Sequence, residues 1–273
     1  MKSIIFFVLL VLKLSEPDPN FYIFLGFGQS NMEGTSAIES QDQQCPERFK
    51  VFAAVDMKSK GRTKYNWYTA TPPLCRDGTQ LCPLDYFGRE MVSKLPEEIT
   101  IGVINVAVGG SSIDIFIDSK AEAYVASSPD WLKNWASAYA NNPFRALVKA
   151  AKEAQKDGVI KGILMHQGEN NSGDRNWPNN VKTVYNSLLM ELGLNGAEVP
   201  LLVGEVVDSA QGGQCGAHNT IIATVTSVIP NSHVIESDGL PHRGDRLHFS
   251  SAGMREFDKR YAEKMLTLLK YNM

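Results

Sequence analysis

Short apolar runs rich in β-branched residues recur along the chain, at residues 21–25, 49–55, 99–108, 159–165, 199–207 and 232–235. Near-continuous apolar character over so few residues marks strands buried on both faces. Between them lie stretches with helical spacing of apolar positions, at residues 86–95, 144–156, 181–192, 218–228 and 251–271. Strands that alternate with helices predict βαβ units, hence an α/β protein with a parallel sheet covered on both faces, a three-layer α/β/α sandwich. Residues 111–142 break the rhythm. They are too many for an ordinary βα connection and read as an insertion near the strand ends. The insertion holds Tyr124, Trp131, Trp135 and Tyr139, and a second aromatic group, Tyr65, Trp67 and Tyr68, precedes Cys75. Each group is either a small local core or a face on which a sugar ring can stack.

Composition adds limits. The chain has 273 residues, 43% hydrophobic and 21% charged, which suits one α/β domain with a large core. A net charge of −3 with scattered Lys and Arg argues against a nucleic-acid partner. At the start, Lys2, an apolar run over residues 4–12, Lys13 and a polar Ser15-Glu16-Pro17 read as a signal peptide over residues 1–15, followed by a single domain over 16–273. A run that short falls below the roughly 20 residues of a membrane span, so no stable membrane association is expected. The protein is accordingly expected to be secreted or periplasmic. The competing reading is an amino-terminal core strand, because Lys13 weakens a cleavage site after Ser15. Cys45, Cys75, Cys82 and Cys215 allow disulfides in an exported protein, the 75–82 loop first among them, or buried reduced thiols. No Cys or His spacing suits zinc, so no metal is expected.

The candidate chemistry starts at residues 24–34, FLGFGQSNMEG, where an apolar strand ends in Gly26 and Gly28 and Ser30 opens a turn. Ligands of open α/β sheets sit outside the carboxyl ends of strands, and backbone N–H groups surround a serine placed there. Ser30 is therefore a candidate nucleophile as well as a candidate helix cap. A base is available in Asp245-Arg246-Leu247-His248, where Asp245 can orient His248 and leave its other ring nitrogen for the serine. Gly109-Gly110-Ser111-Ser112 and His166-Gln167-Gly168-Glu169-Asn170-Asn171 close two further apolar runs. A nucleophile, an oriented base and several N–H donors are the parts that acyl transfer needs. Asp238 and His242 form a second acid and histidine pair, but Gly239 and Pro241 make a surface turn the better reading. His166, His218 and His233 read as structural.

Together, GQSNMEG at 28–34, GGSSI at 109–113, HQGENN at 166–171 and DRLHFSSAGM at 245–254 resemble the SGNH/GDSL hydrolase superfamily. More narrowly they resemble its carbohydrate esterase family 6 and sialate O-acetylesterase-like members. The resemblance runs from about residue 20 onward. It implies a flavodoxin-like five-stranded parallel sheet and a cofactor-free serine esterase acting on acetylated carbohydrate, acetylxylan first and sialate second. A general short-chain esterase and a non-catalytic carbohydrate-binding protein are the alternatives. In this pattern Ser30, Asp245 and His248 are catalytic. The N–H groups of Ser30 and Gly109 and the Gln167 amide form the oxyanion hole, with Gly110 and Asn170 as fallbacks. Gln29, Asn31, Glu169 and Trp67 are the expected substrate contacts. The serine lacks the glycine two positions on that a GxSxG elbow carries, which separates it from standard α/β-hydrolases.

Overall fold

A computed structural model describes residues 16–271. The proposed signal peptide lies outside the described residues. In chain order the elements are β1 (Asp18–Gly28), α1 (Ser30–Glu33), β2 (Phe49–Phe52), β3 (Trp67–Thr69), α2 (Asp85–Lys94), β4 (Thr100–Ala107), α3 (Asp118–Ser127), α4 (Asp130–Ser137) and α5 (Pro143–Ala154). There follow β5 (Gly158–His166), α6 (Trp177–Leu192), β6 (Leu201–Gly204), α7 (Asn219–Ile222), α8 (Val225–Val228), β7 (Ser232–Ile235) and α9 (Ser251–Leu268).

One sheet of seven strands runs β3-β2-β4-β1-β5-β6-β7. Every pairing is parallel except that of β2 with β3. Strands β4, β1, β5, β6 and β7 alone, numbered by their order in the chain, stand in the flavodoxin arrangement 2-1-3-4-5. The expected five strands are thus present, and β2 and β3 extend the edge beyond β4. The three residues of β3, each half-buried, are too short and too exposed on this edge to leave a hydrophobic period.

Alternate faces of β1 feed the two helical layers. Phe24 meets Phe87 of α2 edge-on at 4.9 Å, while Phe27, on the other face, packs 5.2 Å from Phe116. Helices α2 and α9 pack together on one side, and α5 and α6 on the other. Local signals fix the helix ends. The Asn142 side chain accepts the Arg145 N–H at 3.0 Å with Pro143 in the first turn of α5, and the Ser250 hydroxyl accepts the Gly253 N–H at 3.1 Å to open α9.

One expectation is corrected, and one choice left open is decided. Residues 218–228 form two single turns, α7 and α8, rather than one helix. There Thr220, Thr224 and Thr226 turn their hydroxyls back onto the carbonyls of Ala217, Ile221 and Ala223, a local competitor of helix propagation. All four cysteines are free thiols, with Cys75 and Cys82 fully buried in the core. Burial pushes the Cys75 thiol up to about 12, so it behaves as an inert apolar side chain.

Candidate functional site

Register brings the site together. Gly28, the last residue of β1, stands opposite Ala107 on β4 and His166 on β5, so three strands end level with one another. The chain leaves them in one place: the Gln29 N–H bonds the His166 carbonyl at 3.0 Å, and the Val108 N–H bonds the Gly28 carbonyl at 3.1 Å. Gly28 has φ +155°, and a Cβ there would lie 2.0 Å from the His166 oxygen, so only glycine lets the chain turn into α1. These ends flank the point where strand order reverses, where ligands of open α/β sheets bind.

Ser30 is the first residue of α1 and its hydroxyl lies 2.9 Å from His248 Nε2. His248 Nδ1 is 2.7 Å from Asp245 Oδ2. The other carboxylate oxygen, Oδ1, accepts the backbone N–H groups of Leu247 at 3.0 Å and His248 at 2.9 Å. Arg243 donates from Nε to Oδ2 at 2.7 Å. Partial burial opposes the charge on Asp245, but these hydrogen bonds from His248, Arg243 and Leu247 outweigh it and hold the carboxyl well below the usual carboxylate range. An ionised Asp245 is an acceptor, so Nδ1 carries the ring proton and Nε2 faces the serine with a lone pair. Arg243 Nη2, 3.1 Å from Nδ1, is then a charged neighbour rather than a hydrogen-bond partner.

The hydroxyl opens onto a cavity of about 390 Å³ lined by Gln29, Glu33, Gly109, Gly110, Trp131, Trp135 and Arg243 among others. Its aromatic wall comes from the insertion. Trp131 and Trp135 sit one turn apart on α4, 46% and 38% exposed, with ring centroids 5.0 Å apart. The Arg76 guanidinium lies 5.2 Å from the Trp135 ring. Gly110 has φ +65°, and a side chain there would run into the Trp131 ring at 2.7 Å. Tyr139, by contrast, is buried with its hydroxyl 3.2 Å from Cys75 Sγ.

Several residues expected at the site stand elsewhere or are otherwise engaged. The Gly109 N–H, expected to face an oxyanion, donates to Glu33 Oε1 at 3.1 Å, and the same carboxylate pairs with Arg76. Burial raises the Glu33 carboxyl, and the Arg76 guanidinium pulls against that rise. No acceptor within the described residues takes the N–H of Ser30 or of Gly110. Gln167 is fully buried, with Asn171 Oδ1 at 2.7 Å and Gln29 Oε1 and the Ser111 carbonyl each at 3.2 Å from its Nε2, and with Trp177 Nε1 donating to its Oε1. Its amide has no hydrogen left for a ligand. Asn170 donates to the Gly110 carbonyl at 2.8 Å and keeps its second N–H. Gln29 keeps its Nε2 as well, because its Oε1 is held by Gln167 and by the Asn170 N–H at 3.3 Å.

Asn31 and Glu169 do not line the cavity: they are 0% and 7% exposed and bond to each other. Burial opposes the Glu169 charge, but His166 and the Asn31 amide offset it and the carboxyl is lowered. Trp67 packs against Phe21 and Phe52 and donates to Asp157, beside the start of β5, at the opposite end of the sheet from Ser30. The cavity lining also includes Glu33 and Arg243, which pattern reading passed over. Their one signal is nearness in sequence to Ser30 and Asp245. Among the described residues no group of His, Cys, Asp or Glu is placed to hold a metal ion. His242 takes the N–H groups of Gly244 and Arg246 in its own turn.

A serine, histidine and aspartate in hydrogen-bonded series, at the carboxyl ends of a 2-1-3-4-5 sheet, have the arrangement of an SGNH-type serine esterase. The family described as carbohydrate esterase, sialic acid-specific acetylesterase matches residues 20–267, and the chain belongs to it. It is therefore a carboxylic ester hydrolase of the carbohydrate esterase kind. Its fold is shared with solved structures of low identity. A protein from Arabidopsis thaliana is 19% identical with a TM-score of 0.68, over 92% of this chain and 99% of that one. NanS is 15% identical with a TM-score of 0.67, over 94% and 100%. A carbohydrate acetylesterase from Xanthomonas citri is 16% identical with a TM-score of 0.64, over 92% of this chain and 57% of that one.

Proposed function

We propose that the protein removes O-acetyl groups from a carbohydrate through an acetyl-serine intermediate, with acetylated xylan as the first substrate to test. The observation that carries the reading is the hydrogen-bonded series Ser30, His248 and Asp245, at 2.9 and 2.7 Å, opening on the tryptophan-walled cavity. His248, oriented by Asp245, takes the Ser30 proton as the hydroxyl oxygen attacks the acetyl carbonyl. The N–H groups of Ser30 and Gly110 and the free Nε2 of Gln29 are the donors available to the oxyanion. His248 then protonates the departing sugar oxygen, and water activated by the same ring releases acetate. Export of the enzyme is part of the proposal, on the strength of residues 1–15.

A neutral sugar is favoured because each cation near the cavity is already engaged. Arg76 pairs with Glu33, and Arg243 donates to Asp245 and, at 3.0 Å, to the Thr35 carbonyl. A sialate ester is the second reading, favoured by the presence of Arg243 in the cavity wall, since its remaining N–H groups are the nearest match for a sugar carboxylate. The deciding measurement is acetate release from acetylated xylan and from an O-acetylated sialic acid, by wild type and Ser30→Ala. Release from xylan that disappears in the variant supports the proposal. Release from sialate alone moves the substrate to the second reading, and a folded wild type inactive on both and on a small aryl acetate overturns the esterase proposal.

A further inference from the structure

Asn31 follows the nucleophile in sequence and is wholly buried, yet every hydrogen bond its amide makes is directed at the histidine loop or one acid. Its Nδ2 donates to the Leu247 carbonyl at 3.1 Å, and its Oδ1 accepts the Phe249 N–H at 3.3 Å. Those are the backbone groups immediately before and after His248. The second Nδ2 hydrogen goes to Glu169 Oε1 at 2.7 Å, and His166 Nε2 lies 3.2 Å from the same oxygen. Both Asn31 and Glu169 are hidden from the cavity that reaches Ser30.

We propose that Asn31 and Glu169 are positioning residues: the Asn31 amide grips the backbone on both sides of His248, and Glu169 fixes which way that amide faces. The inference rests on the esterase reading. Without the clamp, 218 residues of chain separate serine from base, and the His248 loop is held by the buried Phe249 ring, by the Ser36 hydroxyl on the Phe249 carbonyl at 2.8 Å and by Arg243, none of them adjacent to the serine. With it, the residue covalently next to the serine also holds the backbone on both sides of the base. An amide placed either way round fits the same space; the Leu247 carbonyl and the Phe249 N–H favour the observed orientation, and a strong acceptor beside the amide nitrogen holds it against the flip. Glu169 is that acceptor.

The test compares Asn31→Asp, Glu169→Gln and Glu169→Leu with wild type on a small aryl acetate, recording kcat, KM and the thermal midpoint. Asn31→Asp keeps size and the acceptor for Phe249 but loses the donation to Leu247 and sets a second carboxyl against Glu169, so that the two share one proton. The expected result is a fall in kcat of about 100-fold with KM unchanged, the cost of displacing a reacting group by about 1 Å. Glu169→Gln still offers an oxygen to Asn31 and keeps kcat near wild type, whereas Glu169→Leu loses kcat in the direction of Asn31→Asp. A raised KM with kcat intact overturns the inference in favour of substrate contact. Wild-type kcat in Asn31→Asp overturns it, as does Glu169→Gln losing as much as Asn31→Asp, which would make charge rather than amide orientation the active property. An Asn31→Asp protein that no longer folds also counts against it, because the residue then serves the fold and not the histidine. A wild type that turns over no acetate removes the esterase reading and this inference together, whereas an active wild type with indifferent variants removes the inference alone.

Discussion

Asp245 shows how much one carboxylate is asked to do. It accepts hydrogen bonds from the ring N–H of His248, two backbone N–H groups and Arg243, and it stays ionised under conditions that protonate ordinary carboxylates. A depressed native value adds stability that is present above the ordinary carboxylate range and is lost as pH falls through the native value. A pH profile of kcat/KM should therefore show no acid limb attributable to Asp245. Asp245→Asn should lower kcat by about 10⁴-fold, the scale seen when a histidine's orienting acid is neutralised, with the fold intact by circular dichroism. The meeting of Ser30, Asp245 and His248 could be anticipated from sequence because each lies in a short motif. The engagement of Gly109 and Gln167 could not. It depends on Glu33, Asn171 and Trp177 reaching those atoms from other segments, and no spacing in the chain records that.

Among the elements, α2 and α9 meet over two buried carboxyls. Asp85 accepts the Cys82 N–H and Asp258 the Tyr86 N–H, each at 2.9 Å, and one oxygen of each has no partner. Burial lifts Asp85 to about 7 and raises Asp258 as well. A carboxyl raised in the native state binds more protons folded than unfolded, so its contribution to stability falls as pH rises from about 4 to about 7. Asp85→Asn removes that titration. The wild-type minus variant difference in thermal midpoint should therefore shrink over this interval, and a constant difference would refute the assignment. At the start of α9, Ser250→Ala removes the cap two residues after His248 and should cost about 1 kcal/mol in urea unfolding. The strands and long helices were legible because each has an apolar face of fixed period. Strand β3 and the broken α7–α8 turns were not, since an edge position and threonine back-bonding leave no such period.

Across the molecule, the sheet sets the nucleophile and the insertion sets what can approach it. Trp131 and Trp135 belong to residues 111–142, whose departure from the βαβ rhythm was visible, although their choice between local core and exposed wall was decided only by packing. Stacking on an aromatic face contributes about 0.5–1.5 kcal/mol, so with the proposed substrate, acetylated xylan, Trp131→Ala should raise KM by up to about tenfold. KM for a small aryl acetate should not move, and equal changes on both substrates would place the ring in the acyl site instead. The central position of β1 also bears on biosynthesis. A ribosome makes this strand before either neighbour, β4 or β5, exists, and makes the nucleophile 218 residues before its base. At about 5–20 residues per second, a nascent chain carries Ser30 without His248 for roughly 10–40 s. Under the proposed mechanism Ser30 lacks its base throughout that interval, and esterase activity can begin only after His248 has been added.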